Sequence, residues 1–212
     1  MGEDEGQKTT ETFVTKVVQP IDLRPSSLVK AWKDGKEKQE RFLQQYSAER
    51  QNALGNDLAA AHFLVFREGK VKFVNEDRWI KSESYNSLPD RYVQTMHLEA
   101  IDCEGMELYY EGLENLRRLK HLKFASFKNI KKFDDWCVDR ISGGEFESLE
   151  VLDISGTQVT EKGLQALYRI PSLKKLILDD PNRNTQWQLV IAMLQEIIPE
   201  LEIVEALPAI KT

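Results

Sequence analysis

The sequence predicts an α/β fold in which short parallel strands alternate with helices along the second half of the chain. Three observations indicate this: a leucine pattern that recurs at intervals, a helix-like segment after each copy, and a globular composition. Of the 212 residues, 41% are hydrophobic and 30% are charged, which is a normal balance for a globular protein. No stretch reaches the ~18 to 20 apolar residues that a membrane span needs, so we expect no transmembrane segment.

The recurring pattern is LxxLxL, and three copies align without gaps. They are residues 119–124, 149–154 and 173–178, and weaker copies begin at Val93 and Ile198. The five starts are therefore separated by 26, 30, 24 and 25 residues. Leucine-rich repeats run ~20 to 29 residues, and Ser142-Gly143-Gly144 supplies a place for the extra loop in the longest interval. The pattern predicts a short leucine-rich-repeat solenoid of about five strand units.

Within each unit, side-chain alternation along the strand predicts which residues form the core. Leu152 and Ile154 are expected to face inward, because alternate strand residues point to opposite faces. Thr160 is expected to cap a return helix that carries Leu164 and Leu167. Stacked units of this kind build one continuous core, with a parallel sheet on a concave face and helices outside.

The return segment after the second strand begins with two aspartates. We interpret Asp134-Asp135 as the cap of a helix rather than as a cation site, because Asp is favoured at helix N-termini. The apolar residues of that helix are Trp136, Val138 and Ile141.

The chain is predicted to have three segments. Residues 1–24 form a polar, acidic arm that is flexible or becomes ordered on a partner. Residues 25–91 form a helical segment and an α/β N-terminal cap, and residues 92–212 form the repeat domain. In the middle segment we expect a helix start at Pro25-Ser26-Ser27 and a helix break at Gly35.

The N-terminal cap is predicted to cover the open end of the first repeat. Asn56 or Asp57 is expected to cap a helix over residues 58–66, which Gly69 ends in the left-handed conformation. A short β-like run follows over residues 71–74. The aromatic residues expected to be buried against the first repeat are Phe63, Phe66, Phe73 and Trp79.

Composition and spacing also exclude several kinds of function. A net charge of -6 and a pI near 5.3 argue against nucleic-acid binding, which usually requires a basic surface. Cys103 and Cys137 form neither a disulfide framework nor a CxxC pair, and we interpret them as reduced structural thiols in a non-oxidising compartment. No phosphate loop and no set of nucleophile, base and orienting residue emerges. We therefore predict no cofactor, no metal and no enzymatic activity.

The N-terminus gives no sign of a targeting segment. Residues 1–6 are acidic and lack an apolar region, so they resemble neither a secretory signal nor an Arg-rich transit peptide. No transit peptide is visible in this chain.

The predicted concave face is the candidate protein-binding surface. Its central row, taken from the LxxLxL alignment, comprises His97, Lys123, Asp153, Ile177 and Glu202. Flanking candidates are Glu99, His121, Ser155, Lys175 and Asp179. The face is basic toward the second repeat and acidic toward the last, which suits a protein partner of opposing charge. His97 and His121 are expected to lie close together, either as exposed polar residues or as a metal pair.

Several segments together resemble a known family. They are Leu54–Phe63 (LGNDLAAAHF), Gly69–Phe73 (GKVKF) and Trp79-Ile80, to which Asp134–Cys137 and Thr160–Leu164 add. These segments resemble the distal membrane-arm assembly proteins, which are relatives of ATP synthase subunit s (coupling factor B). The resemblance runs from about Gly55 to Val204, and its discriminating part is the GxDLAAAxF segment with the elements that follow it.

The resemblance implies a function without catalysis. It implies a mitochondrial factor needed to assemble the distal part of the membrane arm of respiratory complex I. Such a factor is peripheral to the inner membrane on its matrix side. It binds membrane-arm subunits, intermediates and other assembly factors through the repeat surface and the N-terminal arm.

Two alternatives remain at the level of sequence. One is a protein like ATP synthase coupling factor B. The other is a leucine-rich-repeat substrate adaptor, such as an F-box-linked protein. The adaptor would require an adaptor-binding helical motif upstream of the repeats, and residues 1–53 contain no convincing one.

Overall fold

The computed structural model describes residues 24–206. The predicted arm therefore lies outside the described residues, apart from Arg24. The chain divides into two compact units, Met1–Glu40 and Arg41–Thr212. Helix α1 (Pro25–Leu43) begins at a proline, which is favoured in the first helical turn because its missing N–H would have no partner there. The predicted break at Gly35 is wrong, since α1 continues through it. A glycine inside an exposed helix costs only about 1 kcal/mol relative to alanine.

Helix α2 (Ala48–Phe66) is interrupted at Gly55. Its N-terminus is capped by Ser47, whose side chain accepts a hydrogen bond from the backbone N–H of Arg50. Gly55 has φ +76°, a conformation that glycine adopts readily because it has no Cβ. A Cβ at this position would lie 2.8 Å from the ring of Tyr92. The break therefore separates a largely accessible first half of α2 from a second half whose apolar side chains, except that of the last residue, Phe66, are buried.

Helix α2 ends in a different way from the one predicted. The left-handed residue is Glu68, with φ +69°, and not Gly69. The N–H of Gly69 donates to the carbonyl of Leu64, and the N–H of Glu68 donates to that of Val65, which is the Schellman pattern of a helix C-terminus. Gly69 favours this close packing, because a Cβ there would lie 2.8 Å from Sδ of Met106 and 3.1 Å from the backbone carbonyl oxygen of Leu64.

The core of the fold is a six-stranded sheet in the order β1-β2-β3-β4-β5-β6. Strand β1 pairs antiparallel with β2, and the remaining pairs are parallel. The strands are β1 (Lys70–Phe73), β2 (Leu98–Asp102), β3 (Phe124–Ser126), β4 (Val151–Asp153), β5 (Lys175–Leu178) and β6 (Glu202–Glu205). The sequence order of the strands is thus also their spatial order, and the protein is of mixed α/β class.

The strand register corrects the alignment of the LxxLxL copies. Ala100, Phe124, Val151, Lys175 and Glu202 are paired from strand to strand, so equivalent residues are 24, 27, 24 and 27 apart. Strands β4 and β5 lie in the predicted segments 149–154 and 173–178. The predicted copies in the first, second and fifth units are displaced by five, three and two residues, because the alignment follows the leucines and not the alternating spacing of 24 and 27 residues.

Helical segments connect successive parallel strands. They are the 3-10 helix Tyr110–Leu116, α3 (Asp135–Ser142), α4 (Glu161–Gln165) with the 3-10 helix Ala166–Arg169, and α5 (Thr185–Ile197); a further 3-10 helix, Ser82–Ser87, precedes β2. The predicted caps at Asp134 and Thr160 are confirmed. Their side chains accept hydrogen bonds from the N–H groups of Cys137 and Lys162. No helix within residues 24–206 combines the length and apolar character needed to cross a membrane.

The burial of each side chain shows which of the predicted core residues belong to the core. Ile101, Ala125, Leu152 and Leu176 form one row across the sheet and are buried. The expected burial of Phe63 and Phe73 is confirmed. That of Phe66 is wrong, because it is 70% exposed as the last residue of α2. In α3 the apolar residues Val138 and Ile141 are buried, whereas Trp136 points outward.

Candidate protein-binding surface

The sheet presents a second face, opposite the buried row. Because side chains alternate along a strand, the residues on either side of each buried row position belong to it. We call these residues the sheet face: Ala100, Asp102, Phe124, Ser126, Val151, Asp153, Lys175, Ile177, Glu202 and Val204. Five members are apolar, although Ala100 and Ser126 are buried. The accessible part of the face combines apolar and charged groups, a mixture found in protein interfaces taken as a whole.

The predicted central row is correct at only two positions. Asp153 and Ile177 are paired in register between β4 and β5. Ser126 takes the predicted place of Lys123 in their row, and Val204 takes that of Glu202. His97 is likewise outside this row, because it precedes β2. The displaced alignment in the first two units is the cause, since a shift by an odd number of residues moves a strand's side chains to the opposite face.

The structure brings His97 and His121 together, as expected. Their ring centroids are 4.2 Å apart, and each histidine directly precedes the leucine that opens its unit. Asp57 joins them: one carboxylate oxygen accepts from the N–H of Leu98 at 2.8 Å, and the other lies 3.4 Å from Nδ1 of His97. Among residues 24–206 no three His, Cys, Asp or Glu side chains are grouped as a metal site would require. Asp57 therefore does not cap α2 but ties this helix to the start of β2.

Ion pairs neutralise most of the predicted basic end. Glu99 lies 3.1 Å from Nζ of Lys123 and 3.7 Å from Nζ of Lys72. The hydrogen bond from Lys123 lowers the pKa of Glu99 against the opposing effect of burial. Nearby, the hydrogen bond between Lys70 and Asp102, at 2.8 Å, raises the pKa of Lys70. The charge gradient expected from sequence is consequently weak around β2 and β3.

Toward the later strands, several predicted site residues have local structural roles. The Ser155 hydroxyl donates to Asp153 at 2.7 Å, and Ser155 is only 1% exposed, so its side chain contributes no accessible surface. Both carboxylate oxygens of Asp179 accept from the N–H of Gly156 at 2.8 Å. Lys175 pairs with Glu202 at 3.4 Å. These contacts order the loops and the strand edge without removing Asp153, Lys175, Asp179 or Glu202 from the surface.

The structure contains an aromatic patch that was not predicted from the sequence. We define it as Trp79, Phe124 and the adjacent Val151. The rings of Trp79 and Phe124 meet edge to face with centroids 6.4 Å apart, and Val151 is the strand partner of Phe124. All three side chains are half-buried, so the expected burial of Trp79 is only partial. In the aligned LxxLxL copies Phe124 takes the position of Ile154, for which an inward orientation is predicted. The regular 24- and 27-residue spacing is the signal that would have placed it on the sheet face.

The two cysteines are free and buried. Burial raises the pKa of the Cys103 thiol well above its usual range, and burial raises the pKa of Cys137 to about 12. Because the thiolate is the reactive form of cysteine, neither side chain is suited to act as a nucleophile. Both are consistent with the structural role predicted from sequence.

The fold and this surface define a mixed α/β protein whose parallel strands recur at regular intervals and present a mixed apolar and charged face. No protein-family model matches the chain. The chain is 49% identical over 199 residues, 93% of its length and 70% of the relative's, to distal membrane arm assembly component 2 of Drosophila melanogaster. The chain therefore belongs to the family of that protein.

Members of a second group are more distant relatives. ATP synthase subunit s, a mitochondrial protein, is 27% identical in Bos taurus over 71% of this chain and 76% of the relative. The Mus musculus protein of that name is 27% identical over 73% of this chain and 78% of the relative. The family resemblance seen in the sequence is thereby confirmed. The match to the insect relative covers 93% of this chain and therefore includes most of the segment before Leu54, where the sequence shows no recognised family motif.

Proposed function

We propose that this protein is a non-catalytic assembly factor for the membrane arm of mitochondrial respiratory complex I. The 49% identity to a distal membrane arm assembly component, over nearly the whole chain, is the observation that carries the proposal. The protein binds distal membrane-arm subunits, their intermediates and other assembly factors. It holds them in place without transforming them chemically.

The binding element in this proposal is a leucine-rich-repeat solenoid. Equivalent strand residues separated by 24 or 27 positions support it, because leucine-rich repeats run ~20 to 29 residues. The sheet face would then be the concave surface that such proteins offer to partners. We propose that its accessible predicted residues act together with the aromatic patch, since aromatic side chains are enriched among the residues that dominate binding energy. The arm over residues 1–24 and the boundaries at residues 25 and 92 stay predictions.

The absence of catalysis in this proposal is supported by the surroundings of the thiols and the histidines. Both thiols are buried in their protonated form. The rings of His97 and His121 contact each other, and His97 also lies beside Asp57 rather than a nucleophile. A general base must lie within hydrogen-bond reach of the group that it deprotonates.

We further propose that the protein is mitochondrial, on the matrix side of the inner membrane and peripheral to it. The relatives named as mitochondrial ATP synthase subunit s support the organelle. Protease treatment of intact mitochondria and of mitoplasts tests the side. A matrix protein stays intact in both preparations, and degradation in mitoplasts would contradict the proposed side.

Affinity purification of the tagged full-length chain from mitochondria, followed by mass spectrometry, tests the assembly role. Enrichment of membrane-arm subunits of complex I is the expected result. Recovery of ATP synthase subunits alone would support the coupling-factor alternative. Recovery of ubiquitin-ligase components would support the adaptor alternative. Either of those outcomes contradicts the proposal.

Matched variants locate the surface that binds. Lys123→Glu, Asp153→Lys and Phe124→Gln change exposed or half-buried side chains around the sheet face and should reduce capture of the membrane-arm subunits at least fivefold. Lys162→Glu reverses an exposed charge on α4 and serves as the control. Unchanged capture by all three sheet-face variants would exclude this surface as the interface. Circular dichroism of each variant verifies that the fold is retained.

A further inference from the structure

Helix α5 is apolar on two faces, although only one of them is covered. Trp187, Val190, Ile191 and Leu194 follow the spacing of a single helix face and are buried in the core. Leu189, Met193 and Ile197 lie four residues apart along another face and are 61%, 49% and 56% exposed. A helix that is apolar on more than its core face usually packs against something on the other side as well.

The other return helices differ from α5 in this respect. On α3 the accessible side chains include Asp139, Arg140 and one apolar residue, Trp136, and on α4 they include Glu161 and Lys162. Charged residues on the outer face are what a solvent-exposed helix normally presents. A row of three exposed apolar side chains is therefore found on α5 and not on α3 or α4.

Beside these residues lies a groove of about 240 Å³ between α5 and the preceding helical segment. It is lined by Gln165, Tyr168, Val190, Met193, Leu194 and Ile197. We call this groove together with Leu189 the α5 groove. Contiguous exposed apolar surface bordered by polar residues is typical of protein-binding sites.

The charges around the groove indicate what kind of helix fits. Glu196 is the one charged residue of α5, and Glu200 follows soon after the helix ends. On the other wall of the groove, Arg169 is paired with Asp139, and Lys162 lies next to Glu161 in the sequence. Arg183 lies over the ring of Trp187, 5.3 Å from its centroid. Glu196 and Glu205 have no ion-pair partner within residues 24–206, and Glu196 lies on α5 itself next to Ile197.

We propose that the α5 groove is a docking site for a cationic amphipathic helix of a partner protein. Apolar side chains of the partner occupy the groove at i, i+3, i+4 and i+7, which is how amphipathic helices bind. Its Lys or Arg residues face the carboxylates, and this complementarity accelerates association and selects the partner. The same negative charge disfavours an anionic lipid surface, which attracts basic segments. The site is separate from the sheet face, so it does not depend on the assembly role proposed above.

The length of the groove sets the length of the probe. Residues 189–197 rise about 12 Å along the helix axis at ~1.5 Å per residue, so a partner needs two to three apolar turns. A fluorescently labelled 18-residue peptide with leucines on one helical face and lysines elsewhere meets this requirement. One control peptide has the same composition in scrambled order, and a second keeps the leucine face with glutamate in place of lysine.

Fluorescence anisotropy with the full-length protein tests the proposal. The cationic amphipathic peptide should bind at least tenfold more tightly than either control. Its affinity should fall as salt is raised from 50 to 500 mM, because salt screens exposed charges. The double variant Met193→Gln/Ile197→Gln and the charge reversal Glu196→Lys should each weaken binding at least fivefold. Phe66→Gln, which alters an exposed apolar residue elsewhere, is the matched control and should leave binding unchanged.

Several outcomes would overturn the proposal. Equal binding of the scrambled peptide means that charge alone attracts it. Self-association in sedimentation velocity that the double variant abolishes would assign the groove to a second copy of the chain. Binding to phosphatidylserine vesicles that the double variant abolishes would assign it to a membrane. Much tighter peptide binding by a chain ending at Ala206 would assign it to the chain's own last residues.

Leu189→Gln repeats the test with a single change, should the double variant lose its fold. Loss of subunit capture by sheet-face variants, with peptide binding intact, would separate this site from the assembly interface.

Discussion

At the β1 end of the sheet, the outermost parallel strand, β2, is covered by β1. At the β6 end, no further strand covers β6 within residues 24–206. Strand β1 runs antiparallel to β2, and Ile80 forms a bridge with Val71 on the outer side of β1. The second half of α2 adds Phe63 and neighbouring buried side chains. Strand β6 has β5 as its one partner among the described strands, and α5 beside it exposes Leu189, Met193 and Ile197.

This difference separates stability from recognition. The core at the end of a sheet is open to water unless another element covers it, and at the β1 end α2, β1 and Ile80 provide that cover. The β6 end leaves apolar surface accessible among carboxylates. We therefore expect substitutions at the β1 end to change mainly the free energy of unfolding, and substitutions at the β6 end to change mainly binding.

The largest contrast is expected for apolar truncations. Phe63→Ala removes a fully buried ring and should lower the free energy of unfolding by about 3 to 5 kcal/mol. Ile197→Ala removes an exposed side chain and should change that free energy by less than about 0.5 kcal/mol. Denaturant unfolding followed by circular dichroism measures both. Similar losses for the two variants would mean that the ends contribute equally to the core.

A smaller contrast is expected for polar groups that fix helices at the two ends. Asp57→Ala removes the carboxylate that accepts from the N–H of Leu98 and should cost about 1.5 to 3 kcal/mol, as for other hydrogen bonds to charged groups. Asn184→Ala removes the cap of α5 and should cost about 1 kcal/mol. Thermal unfolding of both variants shows which substitution destabilises the protein more. A larger effect for Asn184→Ala would reverse the proposed division between the ends.

At the β1 end a single substitution should raise stability. Glu68 has φ +69°, and the left-handed conformation costs a residue with a Cβ about 1 to 2 kcal/mol. Glu68→Gly should therefore raise the free energy of unfolding by about 1 kcal/mol, after the entropy that glycine loses on folding. Gly69→Ala is the opposing control, because its Cβ would clash with Met106. An unchanged free energy of unfolding for Glu68→Gly would show that the left-handed conformation of Glu68 does not destabilise the protein.

The smallest effect concerns the dependence of stability on pH. The folded state lowers the pKa of Glu99 through Lys123, so this carboxylate stabilises the fold above its unfolded pKa, near ~4.3. The contribution disappears as the pH falls through the lowered pKa. Glu99→Gln should lose less than about 1 kcal/mol at pH 7, as expected for exposed ion pairs, and should approach the wild type at pH 3.

Stability curves between pH 3 and pH 7 test this expectation. Glu202→Gln, which removes the partner of Lys175 at the β6 end, is the control. That pair is more exposed than the pair of Glu99 and Lys123, so its removal should change the curve less. A gap between wild type and Glu99→Gln that widens toward acid would contradict the sign.

Sequence reasoning found the elements more reliably than their register. The caps at Asp134 and Thr160 follow from local hydrogen bonding, which a short segment carries in its own side chains. The placement of Phe124 depends on the two strands that flank β3. Leu119 and Leu122 are both buried, but the strand register begins the second unit at Leu122. The LxxLxL pattern begins at Leu119 instead, so the predicted copy is displaced by three residues.

The amino-acid sequence by itself determined the α/β class, the recurring strands, the family and the nearness of His97 to His121. These follow from periodicity, capping and motif identity, which are local properties of the chain. Only the tertiary structure decided which side chains share a face, because a strand's register is fixed by its neighbours. It decided likewise that Phe66 and the outer residues of α5 stay exposed, since burial depends on what packs against a helix rather than on the helix alone.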